Sequence, residues 1–307
     1  MQFLGLDTSN YTTSAALFAP QSGEMHSSRR LLPVREGQLG LRQSDAVFHH
    51  TAALPEILDA LPAFEDVRAV GVSARPRDAE GSYMPCFLAG VSAAHSAAKA
   101  LGVPLYTFSH QAGHIAAAIY SSDREDLLRE SFLAFHVSGG TTEVVLVKPD
   151  PTHVFSTETV LSSLDLKAGQ AVDRVGVMLG HPFPAGKYVD ALSLESERSF
   201  PVRVRLKDGC CSLSGVQNQC ASMYRSGESP ADVSRYCLSY IGEALSAMAS
   251  YAQDRFGALP LVFSGGVLCS VFLRQMLSAR FDCVFAKTEY SGDNAAGIAY
   301  LTSLMTP

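Results

Sequence analysis

Phe132-Leu133-Ala134-Phe135-His136-Val137-Ser138-Gly139-Gly140-Thr141-Thr142, followed by Glu143 to Lys148, is the stretch that decides the fold. The mainly apolar residues at its start read as a buried strand. The Ser/Gly/Thr run reads as a turn, and the segment after it as a returning strand. Such turns favour glycine, which reaches conformations closed to other residues, and hydroxyl side chains, which bond their own backbone. The same plan opens the chain. Phe3-Leu4-Gly5-Leu6-Asp7 is an apolar strand ending in an acid, Thr8 to Thr13 a polar turn, and Ser14-Ala15-Ala16-Leu17-Phe18 a returning strand. Asp7 precedes Thr8-Ser9 much as His136 precedes Val137-Ser138. Two units built alike predict an internal duplication whose turns face one another across a cleft.

Working outward, strands alternate with helices. Asp45 to Leu61 carries Val47, Leu54, Ile57, Leu58 and Leu61 at helical spacing, Val67 to Ser73 is a strand, and Cys86 to Leu101 is an alanine-rich helix. Val103 to Phe108 is a strand that runs into a second alanine-rich helix. Leu164 to Leu179 reads as a helix entered through Asp165, and a short helix surrounds Lys187 to Leu192. Ala231 to Phe256 is a long amphipathic helix ending at Gly257. Leu259 to Phe263 leads through Ser264-Gly265-Gly266-Val267 into a helix reaching Ser278, and Ser291 to Gly297 leads into a terminal helix. The alternation predicts an α/β architecture. Residues 1–104 with 291–307 are expected to form one lobe and 105–290 the other.

Hydrophobic content of 47% and charged content of 18% describe an ordinary globular chain. Seven cysteines without a C-x-x-C spacing argue against a disulfide framework and for a reducing cytoplasm. The first residues lack the basic region of a secretory signal, and no apolar run reaches the length of a membrane span. The net charge of −6 argues against a stand-alone nucleic-acid binder but leaves room for a local patch. Arg203, Arg205 and Lys207 alternate along a strand-like segment and share one face, and Arg75 and Arg77 alternate in a loop. Taken alone, each set also reads as a solvated edge.

Ser109-His110-Gln111-Ala112-Gly113-His114 carries the most specific chemistry. Histidines four apart on a helix stand about one turn apart on one face, where both imidazoles reach a single divalent cation if other ligands arrive. The alternative is a capping histidine beside a half-buried one. Three Ser/Thr/Gly turns, at Thr8, Ser138 and Ser264, each follow a buried strand, an arrangement suited to a nucleotide or acyl-phosphate. The glycine pair at Gly265-Gly266 before a helix adds free N–H groups that attract anions. Asp293 enters the last helix from a glycine-bearing loop and reads as its N-cap.

Together these segments resemble the TsaD (Gcp) family, threonylcarbamoyl transferases of the actin-like ATPase superfamily with two duplicated RNase H-like subdomains. The family's marks run in order along nearly the whole chain. They are Gly5 to Ser9, the His110/His114 pair, Val137 to Thr141, Asp165 to Asp173 with Gly186 and Asp190, Ser212 to Gly215, Gly265-Gly266-Val267, and Gly292-Asp293-Asn294. The resemblance implies a metal, iron or zinc with magnesium as a third option, on His110, His114 and Asp293. It implies ATP, AMP or threonylcarbamoyl-adenylate as the bound nucleotide. Ser138, Gly139, Gly140 and Thr141 would meet the acyl-phosphate end, with Lys167, Gly169, Asp173, Gly186 and Asp190 around ribose and base. Gly265, Gly266 and Ser270 would close over the nucleotide, and Asp7, Thr8 and Ser9 become the candidate catalytic groups. His136 stands where some relatives place a metal-approaching tyrosine, so it is expected as a fourth ligand or, failing that, as a packed strand histidine. The partners implied are tRNA, reached through partner subunits, and a TsaB-like protein or a second copy of the chain, with no membrane involved.

The chain departs from the family pattern in places. A Cys-Asp-Glu run is replaced by Asn10-Tyr11-Thr12, a Gly-Pro-Gly loop by Ala74-Arg75-Pro76-Arg77, and an asparagine by Ser270. A divergent paralogue is expected, either catalysing transfer to a tRNA adenosine beside the anticodon or serving as a non-catalytic partner of a true TsaD. The family's older peptidase label fits poorly. Gln111 occupies the position where a zinc peptidase needs a glutamate as general base.

Overall fold

The computed structural model describes residues 1–9, 11–33, 41–291 and 294–306. In chain order the elements are β1 (Gln2–Ser9), β2 (Thr12–Ala19), β3 (Glu24–Leu31), α1 (Gln43–Asp59), β4 (Val67–Arg75), α2 (Phe87–Leu101), β5 (Leu105–Ser109) and α3 (His110–Ser121). They continue with β6 (Phe132–Val137), β7 (Thr142–Asp150), β8 (Val154–Ser162), α4 (Ala168–Met178), α5 (Gly186–Glu195), α6 (Ser214–Arg225) and α7 (Pro230–Phe256). The last are β9 (Leu261–Ser264), α8 (Val271–Ser278), β10 (Cys283–Phe285) and α9 (Asn294–Met305).

Two five-stranded mixed sheets repeat one plan. The first runs β3-β2-β1-β4-β5 and the second β8-β7-β6-β9-β10. In each, the first strand of the unit is central. It pairs antiparallel with the next strand, as in Phe3↔Phe18 and Phe132↔Val147, and parallel with a later one, as in Gly5↔Gly71 and Phe135↔Phe263. This is the internal duplication that the two hairpins announce.

The chain divides into two compact units. One holds residues 1–129, 148–158 and 292–307, the other 130–147 and 159–291. The lobe boundary expected at 104/105 is therefore displaced. β5 pairs in parallel with β4, Val70 opposite Leu105, and α3 packs on α9, so both histidines of α3 belong to the first unit.

β1 is buried along nearly all its length because α2 and α9 both pack against it, which explains a continuous apolar run in place of alternation. Close packing of α9 depends on glycine. A Cβ at Gly5 would overlap the Ala295 carbonyl and the Ala299 amide, and one at Gly297 would overlap the Gly113 carbonyl. Helix and sheet thus meet backbone to backbone. In the second unit, Leu133, Phe135 and Phe263 of the sheet join Val172, Val175, Ile241, Leu245 and Leu273 of the helices in one core.

Two expected helices start later than the sequence suggests. α4 begins at Ala168 rather than Leu164, because Asp165 is engaged elsewhere: its carboxylate accepts from the Leu213 and Ser214 amides and the Ser214 hydroxyl at the start of α6. After Gly265-Gly266 a short 3-10 turn intervenes, and α8 starts only at Val271, capped by Ser270. β3 escapes sequence reading because it is a largely exposed edge strand with no apolar stripe. No helix among the described residues is long and apolar enough to cross a membrane.

Candidate functional site

In the first unit, the end of β1, the start of α3 and the start of α9 meet at one polar cavity of about 140 Å³. Its lining includes Asp7, Ser9, Tyr11, Thr12, Ser14, His110, His114 and Asn294. Ser109 closes β5 and caps α3, its hydroxyl accepting from the Ala112 amide, which fixes the helix start. His110 and His114 then project from one face, ring centroids 4.7 Å apart. Gly113 and Gly297 let α9 approach α3 closely enough to bring Asn294 onto His110.

Asp7 is fully buried and organises this group. Its Oδ2 lies 2.9 Å from His110 Nδ1 and accepts from the Ser73 hydroxyl, while Oδ1 accepts from the Ser9 amide at 2.8 Å. Burial alone would push the Asp7 carboxyl up. The charge and hydrogen bond of His110, with the bonds from Ser73 and Ser9, outweigh it and hold the group below the usual carboxylate range. Asn294 Nδ2 lies against both ring nitrogens of His110, nearest to the Nδ1 that faces Asp7 and 3.0 Å from Nε2. A carboxylate behind a histidine fixes the orientation of its ring.

A divalent cation suits this donor set in part. Two imidazoles share a face, and Asn294 is buried with an Oδ1 that has no hydrogen-bond partner among the described residues. An oxygen donor is thus available beside two nitrogen donors. Among the described residues, no three His, Cys, Asp or Glu side chains gather closely enough to hold an ion; Asp293, the expected third ligand, lies outside the described residues.

The remaining expected residues are placed as follows. Ser9 lines the cavity, but Thr8 does not. The Thr8 hydroxyl donates to the Cys86 carbonyl at 3.0 Å and accepts from the Gly90 amide, tying β1 to α2, which is a structural task. His136 is buried in β6 of the second unit, opposite Glu143 on β7 and Ser264 on β9.

In the second unit two glycine turns and a helix glycine converge. β6 and β9 are parallel neighbours, so Ser138–Thr141 and Gly265-Gly266 emerge side by side at the carboxyl end of the sheet. Gly169 at the start of α4 lies on the first of these, its amide donating to the Ser138 carbonyl at 3.1 Å. A Cβ there would strike the Gly139 backbone. Gly265 has φ of +101° and sits against the Val137 backbone, a position only glycine tolerates. Gly139 and Gly140 are exposed, with open space where a Cβ would stand.

The expected acids of this unit, by contrast, already have partners. Asp190 accepts from the Ser270 hydroxyl at 2.5 Å and the Val271 amide at 3.0 Å, filling the N-terminus of α8 that was expected to hold phosphate. Asp173 accepts from the Ala185 amide at 2.8 Å, just before Gly186. Burial raises its carboxyl above the ordinary range against that bond. Lys167 donates to the Ser163 carbonyl at 2.9 Å. Sequence reading missed Asn294, whose adjacency to Asp293 at the foot of the last helix was the available signal.

A family model described as TsaD: tRNA N6-adenosine threonylcarbamoyltransferase matches residues 44–300. The tRNA N6-adenosine threonylcarbamoyltransferase of Streptococcus suis (strain 05ZYH33) is 32% identical over 82% of this chain and 76% of its own. That of Thermofilum pendens is 28% identical over 99% of this chain and 89% of its own. Among solved structures, T. kodakarensis HypF aligns over 98% of this chain and 47% of its own with a TM-score of 0.63 at 13% identity. Component A of the Acidaminococcus fermentans (R)-2-hydroxyglutaryl-CoA dehydratase aligns over the full length of both chains with a TM-score of 0.57 at 13% identity. These structures share the actin-like ATPase fold, and at such identity the likeness concerns the fold alone.

Proposed function

The chain belongs to the tRNA N6-adenosine threonylcarbamoyltransferase family, TsaD, and from that premise we propose that it transfers a threonylcarbamoyl group from threonylcarbamoyl-adenylate to a tRNA adenosine beside the anticodon. The adenosine N6 amine attacks the carbamoyl carbon and a new C–N bond forms. The carbon–oxygen bond to phosphate breaks, AMP leaves, and the amine releases a proton to solvent. The observation that carries this reading is the cavity in which α3 and α9 gather His110, His114, Asp7 and Asn294.

His110 and His114, with Asp293, would hold the divalent ion. When bound, such an ion supplies Lewis-acid polarisation of a carbonyl or phosphate oxygen. Asp7 would orient the His110 ring toward that ion. Gly139, Gly140 and Gly265-Gly266 would supply backbone N–H groups and open space for the adenylate, with Gly169 bracing the first turn through the Ser138 carbonyl, and preorganised donors stabilise charge gathering on oxygen. Asp190 and Ser270 shape the wall of that loop cluster through their mutual bond.

A second reading is favoured by the residues lining the cavity. Tyr11 and Thr12 stand where typical members have acids, which suits a nucleotide-binding partner of an active TsaD. One experiment separates the two: incubate the chain with threonylcarbamoyl-adenylate and unmodified tRNA, with and without a TsaB-like protein, and digest the tRNA for mass spectrometry. Formation of threonylcarbamoyladenosine is expected. Its absence under both conditions, with retained adenylate binding, would establish the non-catalytic reading instead.

A further inference from the structure

In the second unit, burial alternates strictly along residues 201–207, the pattern of an extended chain. Val202, Val204 and Leu206 are half-buried, and Val204 and Leu206 pack on the core; Arg203, Arg205 and Lys207 are exposed. A tight turn ends the segment. Asp208 and Gly209 have φ of +52° and +81°, and the Lys207 and Cys210 amides and carbonyls exchange hydrogen bonds at 2.9 Å.

Several other cations of this unit are occupied. Arg198 pairs with Glu228 and Asp232, Arg280 with Glu243, and Arg274 donates to the Leu268 and Ala286 carbonyls. Among the described residues, Arg203, Arg205 and Lys207 have no side-chain hydrogen bond or ion pair. Alternate residues of an extended chain repeat at about 6.6 Å, close to the separation of neighbouring phosphates along an RNA strand. In a chain whose net charge is −6, three unpaired cations in a row are a local exception.

We propose that Arg203, Arg205 and Lys207 form a rail that binds consecutive phosphates of an RNA backbone. Contacts of this kind set affinity and orientation and carry no sequence information. The assignment of the RNA as tRNA rests on the transferase reading above, and the rail would hold the tRNA while its adenosine is modified.

The test is fluorescence anisotropy of a labelled tRNA anticodon stem-loop with the full-length chain, between 50 and 200 mM salt. Comparison is with the triple variant R203Q/R205Q/K207Q. The alternation keeps these side chains out of the core, so the variant should match wild type in thermal unfolding. Losing three single-strand phosphate contacts should flatten the log–log salt dependence by about 2 and weaken binding at least tenfold at the low-salt end. The charge-preserving R203K/R205K variant should keep the wild-type slope. If wild type binds but the triple variant keeps the same affinity and slope, the rail is wrong and the transferase reading stands. If wild type forms the modified nucleoside yet shows no salt-dependent binding, the rail also falls. If neither binding nor product is seen, both fall.

Discussion

The polar groups of the two units stand in opposite situations. In the first, Asp7, His110, His114 and Asn294 converge on one cavity, and the Asn294 Oδ1 has no hydrogen-bond partner among the described residues. In the second, Asp165 and Asp190 spend their oxygens on the first amides of α6 and α8. The acids of the two units thus serve different ends: Asp7 faces an imidazole, Asp165 and Asp190 the starts of helices. Where a carboxylate faces an imidazole and a cavity, chemistry is the better account. Where it faces amide N–H groups at a helix start, capping is enough.

The largest effect that would sharpen this contrast belongs to α3. His110→Ala should lower threonylcarbamoyl transfer about a hundredfold or more while thermal unfolding shifts by only a few degrees, as measured by nucleoside yield and calorimetry. Gly297→Ala acts through packing instead. Its methyl group would overlap the Gly113 carbonyl, so overpacking should cost about 3 kcal/mol or more, visible as a roughly 6–10 °C fall in Tm.

The capping acids should behave in reverse. Asp190→Ala and Asp165→Ala should each cost about 1 kcal/mol in chemical denaturation, the ordinary loss of a cap. If Asp190→Ala removed transfer far beyond that loss, Asp190 would serve the nucleotide as well, and the contrast would break. Burial pushes the Asp165 carboxyl up, but the Ser214 hydroxyl and the Leu213, Leu166 and Ser214 amides outweigh it and leave the group below its ordinary value. A depressed acid stabilises the fold above its unfolded pKa, near 4, and the contribution is lost as pH falls through the folded value. Wild type should therefore lose stability below about pH 4 more steeply than Asp165→Ala, as read by denaturation midpoints across pH.

The smallest effect concerns Asp173. Its raised carboxyl means that ionisation opposes folding above the unfolded pKa, so Asp173→Asn, which keeps an oxygen for the Ala185 amide, should leave Tm unchanged or slightly higher at neutral pH. A marked fall in Tm would show that the charge itself is used.

Much of this was legible from residue pattern. Both hairpins, the histidine helix, the long α7 and the glycine turns stand where apolar periodicity and turn chemistry put them. The departures share a physical origin in contacts distant along the chain. Asp165 left its own helix for Ser214, 49 residues away, and the α8 start was taken by Asp190, 80 residues before Ser270. Thr8 looked catalytic beside Asp7, yet strand alternation turned its hydroxyl toward Cys86 and Gly90. β3 stayed hidden because an edge strand buries too little to need an apolar face. The lobe boundary was misplaced because the pairing of β5 with β4 is decided by sheet order.

The most direct test of the account is calorimetric titration of the purified chain with zinc, and with ferrous iron under argon, beside the double variant His110→Ala/His114→Ala. One ion per wild-type chain and none on the double variant is the predicted result. Equal uptake by both proteins, or none by wild type, would contradict it.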